Sequence, residues 1–363
     1  MTYDLIVIGG GPAGTSAAIT CARNGARVLL LERGRFPRHK VCGEFVSAES
    51  LDLLADMLAV DHAQLLADAT RIPHARVFLD GRTIQTSVDP PAASISRLDL
   101  DSALWDSARQ CGVDGRQQVT VRSVSGTGPF LVQTSVGTFE SRALINSSGR
   151  WSKLNPATPD PGVKWLGLKG HFAERTQQAS VDLYFFDGGY CGVQPVELRN
   201  DVAPSGRVNA CAMVRADVAS TLPEVFRRHP ALQERSRGWQ LLSDPVSTSP
   251  LVFHEPQPER GGVLMAGDAA AFVDPFVGDG ISLALRSGSL AGQCLIPFFA
   301  GNISLAEAAR EYRKTYKRRL AQVFRTSSNI RRMLSLPHAV RIPILHLLEK
   351  TPAITQYLVR KTR

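Results

Sequence analysis

The 363-residue chain lacks several things, and each absence narrows what it can be. Its six cysteines (Cys21, Cys42, Cys111, Cys191, Cys211 and Cys294) stand singly, with no Cys-x-x-Cys pair. That removes the spacing of a zinc site or an iron–sulfur cluster, and no metal centre is expected. No apolar run approaches the roughly 18 residues of a spanning helix. The first residues carry neither a basic stretch nor a cleavage pattern, which together with free thiols points to a reducing cytoplasm. Internal repeats and low-complexity segments are missing. Acidic residues are scarce in one place only: from Arg310 to Arg363 there are 14 Lys and Arg against 2 Asp and Glu, while the rest of the chain holds 28 against 31. Basic character therefore belongs to the tail, and nucleic acid is not expected as a partner. What remains is ordinary globular composition, 44% apolar and 21% charged, at a length that calls for two domains or one with a large insertion.

Residues 3–8 are short, apolar and followed at once by glycine, so they read as a buried strand. A helix begins at Pro12, where a missing N–H is no loss, and ends at Gly25. Val28 to Leu31 is a second buried strand, which makes a parallel β–α–β unit. Its loop, Gly9-Gly10-Gly11-Pro12-Ala13-Gly14, has the dinucleotide-binding spacing. Gly9 permits the turn, Gly11 lets a pyrophosphate approach, and Gly14 lets helix and strand pack closely. The helix N-terminus from Pro12 and Ala13 offers N–H groups to phosphate. Glu32 ends the second strand, where it can accept both ribose hydroxyls and repel a 2′-phosphate, so FAD or NAD is expected.

A second buried strand-to-turn unit ends in Gly267-Asp268, and Asp274 to Ile281 then opens a helix with Pro275, Gly278 and Gly280 near its start. An acid at such a strand end suits a polyol hydroxyl, and FAD has the ribityl chain that NAD lacks. Elsewhere, helices are expected near Ser47–Leu58, Leu98–Gln110, Leu222–Arg235 and Gly280–Leu295, with a hairpin over 75–88 around Asp80-Gly81. Three short strands are expected over 118–146 and a β-rich stretch over 163–253. From Leu305 the chain reads as helical, broken by Pro337, Pro343 and Pro352.

Over about residues 1–300 these motifs resemble the FAD-dependent flavoproteins of the p-hydroxybenzoate hydroxylase fold. The segment Phe36 to Glu44, with Cys42-Gly43-Glu44, looks like that of the geranylgeranyl reductase branch. Ser96-Arg97-Leu98 looks like the superfamily's arginine at the start of its long helix. The resemblance implies an α/β protein: a Rossmann-like FAD-binding domain (1–74, 92–160 and 259–304), an inserted β-rich substrate domain (75–91 and 161–258) and a helical C-terminal tail (305–363). It implies FAD contacts at Ala13, Gly14, Glu32, Arg33, Cys42, Gly43, Arg97, Val121, Asp268, Gly280 and Ile281, Val121 being placed only by its spacing after Arg97. Gly188-Gly189-Tyr190-Cys191-Gly192-Val193-Gln194-Pro195 keeps the tyrosine and proline of the branch's substrate-sheet stretch but not its tryptophan, and Tyr190 and Phe186 are taken as substrate contacts.

For chemistry the candidates are Cys42, as a proton donor or as an inert side chain beside the ring, and Glu44, as a general acid or as a solvated or Lys40-paired carboxylate. His171 and His254 read as lone histidines. Arg97 reads as a holder of the cofactor's diphosphate or hydroxyls. The expected activity is FAD-dependent hydride transfer to or from a carbon–carbon bond of an apolar substrate (isoprenoid, lipid or polyketide-like), with electrons from NAD(P)H or a reduced carrier protein. The alternative is a monooxygenase that hydroxylates an aromatic or polyketide substrate through a flavin C4a-hydroperoxide, and a non-catalytic lipid carrier is the third reading. The basic tail either packs on the protein or docks at the inner face of an anionic membrane.

Overall fold

Alternation of short apolar runs with glycine turns produces the first of two sheets. In this computed structural model, which describes residues 2–150, 154, 162–175, 177–197, 206–251, 253, 255–334, 336–351 and 356, Thr2–Ile8 and Val28–Leu31 run parallel with Leu5 opposite Val28 and Ile8 opposite Leu31. The helix Pro12–Arg23 connects them, and Gly25, at φ +82°, turns the chain out of it. Gly137–Asn146 pairs with the other edge of Thr2–Ile8, again parallel, and Val263–Met265 adds beyond it. The path through the sheet is Glu259–Arg260, Val263–Met265, Gly137–Asn146, Thr2–Ile8, Val28–Leu31 and Asp114–Arg116. The chain therefore leaves Thr2–Ile8 in both directions, and the carboxyl ends around that switch point form the crevice where such sheets bind ligands.

The helix Gly280–Phe299 lies across Pro12–Arg23 at a distance only small residues allow. A Cβ on Gly288 would stand 2.0 Å from the Ala13 carbonyl oxygen. Ser16 Oγ donates to the Leu285 carbonyl at 2.7 Å, locking the two motif-bearing helices together.

The second sheet runs Gln240–Leu241, Trp165–Glu174, Gly206–Arg215, Gly189–Pro195, Ser180–Phe186, Thr70–Leu79, Arg82–Ser94 and Phe45–Val46. Strand side chains alternate between faces. One face buries Leu168, Phe172, Tyr184, Val193, Ala210 and Val214 beneath the helices Leu222–Phe226 and Pro230–Arg235. The opposite face carries Lys169, His171, Asn209, Met213 and Tyr190.

Three expectations need correction. The hairpin at Asp80-Gly81 is longer than 75–88, because pairing extends from Thr70 to Ser94. The helix expected over Leu222–Arg235 is two, the second restarting at Pro230. Pro343 does not break the tail but lies inside the helix His338–Lys350, while Pro337 caps it; Pro352 is outside the described residues. Leu305–Arg319 opens with a capping box between Ser304 and Glu307, and Tyr312 is buried with its hydroxyl donating to the Met265 carbonyl at 2.7 Å. Ala321–Leu334 follows. His338–Lys350 then packs Leu345 on Leu79 and Ile84 of the hairpin, and Arg341 grips Asp80 at 2.6 and 2.7 Å.

Candidate functional site

Gly9 sits at φ +104°, and a Cβ there would meet the Ser147 carbonyl oxygen at 2.4 Å. A Cβ on Gly14 would fall 1.8 Å from the Gly9 oxygen. These two glycines serve backbone packing. Gly11 differs: the nearest atom to a Cβ there is Arg97 Nη2 at 3.9 Å, so its surface is left open. Behind it, Pro12, Ala13 and Gly14 begin a helix whose first N–H groups have no side-chain cap. An uncapped N-terminus beside an open glycine and a guanidinium is a diphosphate cradle.

Glu32 is buried at the end of its strand and accepts N–H bonds from Gly10 at 2.9 Å and Gly34 at 2.6 Å. Burial works to raise its pKa, but the Arg38 guanidinium at 2.9 Å and those two amides win and hold it below the usual carboxylate range. Arg38, which the sequence reading passed over, thus takes the place beside Glu32, whereas Arg33 points to solvent. Val121 lies half-buried at the start of Val121–Ser125, and Val119, buried, donates its N–H to the Glu32 carbonyl at 2.9 Å. Gln118, at φ +59°, turns the chain just before that strand. Arg97 opens the helix Arg97–Gln110, with its guanidinium paired to Asp101 at 2.7 Å through both nitrogens. Gly43 has nothing within 4 Å of a Cβ.

The second motif closes the same crevice. Gly267, at φ +60°, directs the chain out of Val263–Met265, and Asp268 stands 3.5 Å from Arg150 Nε. Pro275 starts a short turn, Gly278 ends it at φ +77°, Gly280 is open at the start of its helix, and Ile281 is buried. Ser47 ties the motifs together, donating to Asp279 at 2.8 Å. Around the crevice several buried polar atoms have no hydrogen-bond partner among the described residues: Arg38 Nε, Arg150 Nη1 and Asp279 Oδ2. Such atoms are rare in a finished interior and mark where a polar ligand belongs. Cations near the glycine loop, a ribose-type carboxylate at Glu32 and a polyol-type one at Asp268 fit FAD end to end.

Comparison with known proteins agrees. Residues 4–37 match the family of FAD dependent oxidoreductases. The chain is 22% identical over 82% of its length to conditioned medium factor receptor 1 of Dictyostelium discoideum, spanning 64% of that protein. It is 23% identical to digeranylgeranylglycerophospholipid reductase 2 of Methanopyrus kandleri over 90% of this chain and 85% of the relative. It is 27% identical to a menaquinone reductase of Mycobacterium tuberculosis over 80% and 76%. Among solved structures, a flavin-dependent brominase superposes with a TM-score of 0.79 at 19% identity, covering 100% of this chain and 93% of that one. A geranylgeranyl bacteriochlorophyll reductase-like protein of Thermoplasma acidophilum superposes with a TM-score of 0.76 at 20% identity over 99% and 95%. The fold is that of the Rossmann-like flavoproteins. The chain is an FAD-dependent oxidoreductase, and FAD is its cofactor.

Where the loop after Arg38 meets the second sheet, the structure overturns the reading of Glu44. This residue is fully buried at φ +62°. It is neither solvated nor paired with Lys40. Lys169 Nζ contacts one carboxylate oxygen, which also accepts the Arg97 N–H at 2.8 Å, and His171 Nε2 lies 2.7 Å from the other. Burial raises its pKa, but Lys169 and His171 outweigh burial and bring it down to about 2. A carboxylate so held has no proton to give near neutral pH, so Glu44 is not a general acid. His171 is correspondingly not a lone histidine. Both partners sit on Trp165–Glu174 two residues apart, hence on one face. A lysine and a histidine alternating within Leu-Lys-Gly-His-Phe was the available signal. Cys42 is half-buried, its sulfur accepting the Glu44 N–H at 3.3 Å and its carbonyl the Asn209 side-chain amide at 3.0 Å. His254 is outside the described residues.

Tyr190 lies where it was expected, in a cluster with Met213, Leu251 and Phe272, joined by Phe185, Phe253 and Phe276. The cluster fills the space between the second sheet and the loop of the second FAD motif. Phe186 does not reach it. Tyr190 pairs with Phe185 across the strands, and Phe186, one residue on, packs in the opposite core. The ring that meets the second-motif loop, at Phe276, is Phe185.

Proposed function

We propose that the protein reduces a carbon–carbon double bond of an apolar, isoprenoid-type lipid. The observation that carries this reading is the cluster of Tyr190, Phe185, Met213, Phe272 and Phe276. It is aromatic and aliphatic, and it lies directly against the loop that bears the second FAD motif. Parted to admit a substrate, such a cluster would select by apolar area and exclude water. Two of the similar proteins carry names of isoprenoid-lipid or quinone reductases, which supports the same class.

Bound FAD supplies the hydride chemistry. The chain supplies position and charge. Gly11, the uncapped helix start and Arg97 would hold the diphosphate, Glu32 the ribose, and Asp268 the ribityl side. Glu44, Lys169 and His171 fix the loop that carries Cys42, which would orient the ring. Tyr190 and Phe185 would align the hydrocarbon. The tail completes the picture as a docking element for an anionic membrane, from which such a substrate would be drawn: Val340 and Leu347 are 51% and 56% exposed on a helix within the basic region. Among the described residues no helix is long and apolar enough to cross a membrane.

The structural likeness to a brominase favours a second reading, in which reduced cofactor reacts with oxygen and the substrate is an aromatic ring. One experiment separates them. Reduced holoprotein is mixed anaerobically with anionic vesicles containing geranylgeranyl lipid, at low and high salt. Reoxidation that needs the lipid and not oxygen, with salt-sensitive co-sedimentation, is expected. Reoxidation only on admitting oxygen refutes the reductase, and salt-independent failure to co-sediment refutes the docking.

A further inference from the structure

One polar side chain beside the aromatic cluster is used by nothing described so far. Asp274 stands at the head of the loop Pro275–Val277, only 3% exposed, and neither carboxyl oxygen has a well-formed hydrogen bond among the described residues. An aspartate in that position ordinarily caps the turn that follows it; here the Phe276 amide faces the carboxyl without completing that cap. Its surroundings are aromatic. Phe276 meets Tyr190 edge-on at 6.0 Å and Phe185 at 6.1 Å, while Phe253 stacks on Phe272 at 5.1 Å.

Among the described residues the groups that face it are few. From the tail helix Ala321–Leu334, Arg331 places a guanidinium nitrogen 3.6 Å away while lying over the Phe253 ring at 4.2 Å. From Gly189–Pro195 comes Tyr190, and from its own loop the Phe276 amide. Burial pushes the carboxyl up to about 7 against the pull of Arg331. If Asp274 merely anchored the tail, a short two-pronged pair would be expected, as Asp80 makes with Arg341 at 2.6 and 2.7 Å. The longer, one-sided approach of Arg331 leaves the carboxyl able to exist in both protonation states.

We propose that Asp274 is the proton donor of the site, placed beside the aromatic cluster where the substrate would enter, to protonate the second carbon of the double bond. The inference rests on the reductase reading. In the step, a hydride from reduced FAD forms a C–H bond at one alkene carbon, and the Asp274 proton forms the other as the π bond breaks. FAD is left oxidised, to be reduced again by a nicotinamide or carrier-protein donor. Asp274 is left as a carboxylate facing Arg331 and recovers its proton from water.

The test uses full-length holoprotein, with Asp274→Asn and Asp274→Glu. FAD content and anaerobic photoreduction should match wild type in both. Lipid-dependent reoxidation should slow about 100-fold or more in Asp274→Asn and recover in part in Asp274→Glu. The wild-type rate should fall about tenfold per pH unit above about 7, and that limb should vanish in Asp274→Asn. A readout free of turnover is the infrared signal of a protonated carboxyl in the apoprotein. It should be present in wild type at about pH 5.5 and lost by about pH 8.5; burial also pushes the Asp279 carboxyl up to about 6, so the Asp274 band is the one that disappears in the wild-type minus Asp274→Asn difference. Wild-type rates in Asp274→Asn, a surviving pH limb, or no carboxyl band in the wild-type minus Asp274→Asn difference at the lower pH would each overturn the assignment while leaving the reductase standing. Failure of wild type itself to reoxidise with lipid would sink the reductase reading, and this role with it.

Discussion

Lys169→Met is the most informative single perturbation of the fold around the cofactor. Glu44 and Lys169 are 0% and 1% exposed at the side chain, so neither charge has water to fall back on. Removing the ammonium strands a buried carboxylate, and breaking such pairs costs about 3–5 kcal/mol. The proton affinity of Glu44 gives an independent figure: lowering from 4.5 to about 2 corresponds to roughly 3 kcal/mol at about 1.36 kcal/mol per pKa unit. The sign follows. Because the folded pKa is depressed, the Glu44 contribution is fully present above about 4.5 and is lost as pH falls toward about 2. In Lys169→Met the largest lowering influence is gone while burial remains, so the folded pKa rises. The variant should then be least stable near pH 7.5 and regain part of its loss near pH 5, where protonating Glu44 relieves the stranded charge. Chemical denaturation at both pH values measures this, and the double variant Lys169→Met/Glu44→Gln should be more stable at pH 7.5 than Lys169→Met alone. A single variant within about 0.5 kcal/mol of wild type at pH 7.5, with no coupling in the double, would refute the argument.

The glycines of the loop should separate by function: Gly11→Val is expected to fold and lose FAD affinity by about 100-fold or more, because its side chain enters only the open cradle, as fluorescence titration would show. Gly14→Ala instead forces a Cβ to 1.8 Å from a backbone oxygen and should lower thermal stability before any question of binding arises. Phe185→Ala and Tyr190→Ala are expected to raise KM for the apolar substrate with FAD retained, whereas Phe186→Ala should lower the melting temperature and leave KM alone; equal KM effects from both phenylalanines would contradict the assignment of faces.

The parts of the site that the sequence made legible are those written in a few consecutive residues. The β–α–β unit with Gly9, Gly11, Gly14 and Glu32 spans about 30 residues, and each glycine has a local steric reason to be there. Asp268 and Gly280 are legible for the same reason. Glu44 was misread because its partners lie 125 and 127 positions away, and nothing near Glu44 announces them. Phe186 was chosen over Phe185 because strand parity depends on the partner register, and one residue of slip exchanges the faces. Val121 rests on spacing alone, and spacing carries little across a segment that turns at a positive-φ residue such as Gln118.

The tail was hardest to place, for a related reason. Its basic, amphipathic pattern says that some surface will take its apolar stripe but not which one. Three contacts decide it, and each comes from a different part of the fold: Tyr312 on the Met265 carbonyl, Arg331 at Asp274, and Arg341 on Asp80 at the hairpin tip. Their partners fall in reverse chain order only at the last step, where the tail crosses from the first sheet to the second. The middle contact is the consequential one. The helices before and after Ala321–Leu334 are each fastened to the body, and between them Arg331 is held 3.6 Å from the Asp274 carboxyl, so packing of the tail and charge beside the aromatic cluster are mechanically one matter. That same geometry leaves Val340 and Leu347 on the far side of the helix, exposed, because Leu345 and Arg341 occupy the face turned to the hairpin. Packing on the protein and docking on a membrane are therefore compatible roles of opposite faces of His338–Lys350, although the sequence pattern presents them as rivals.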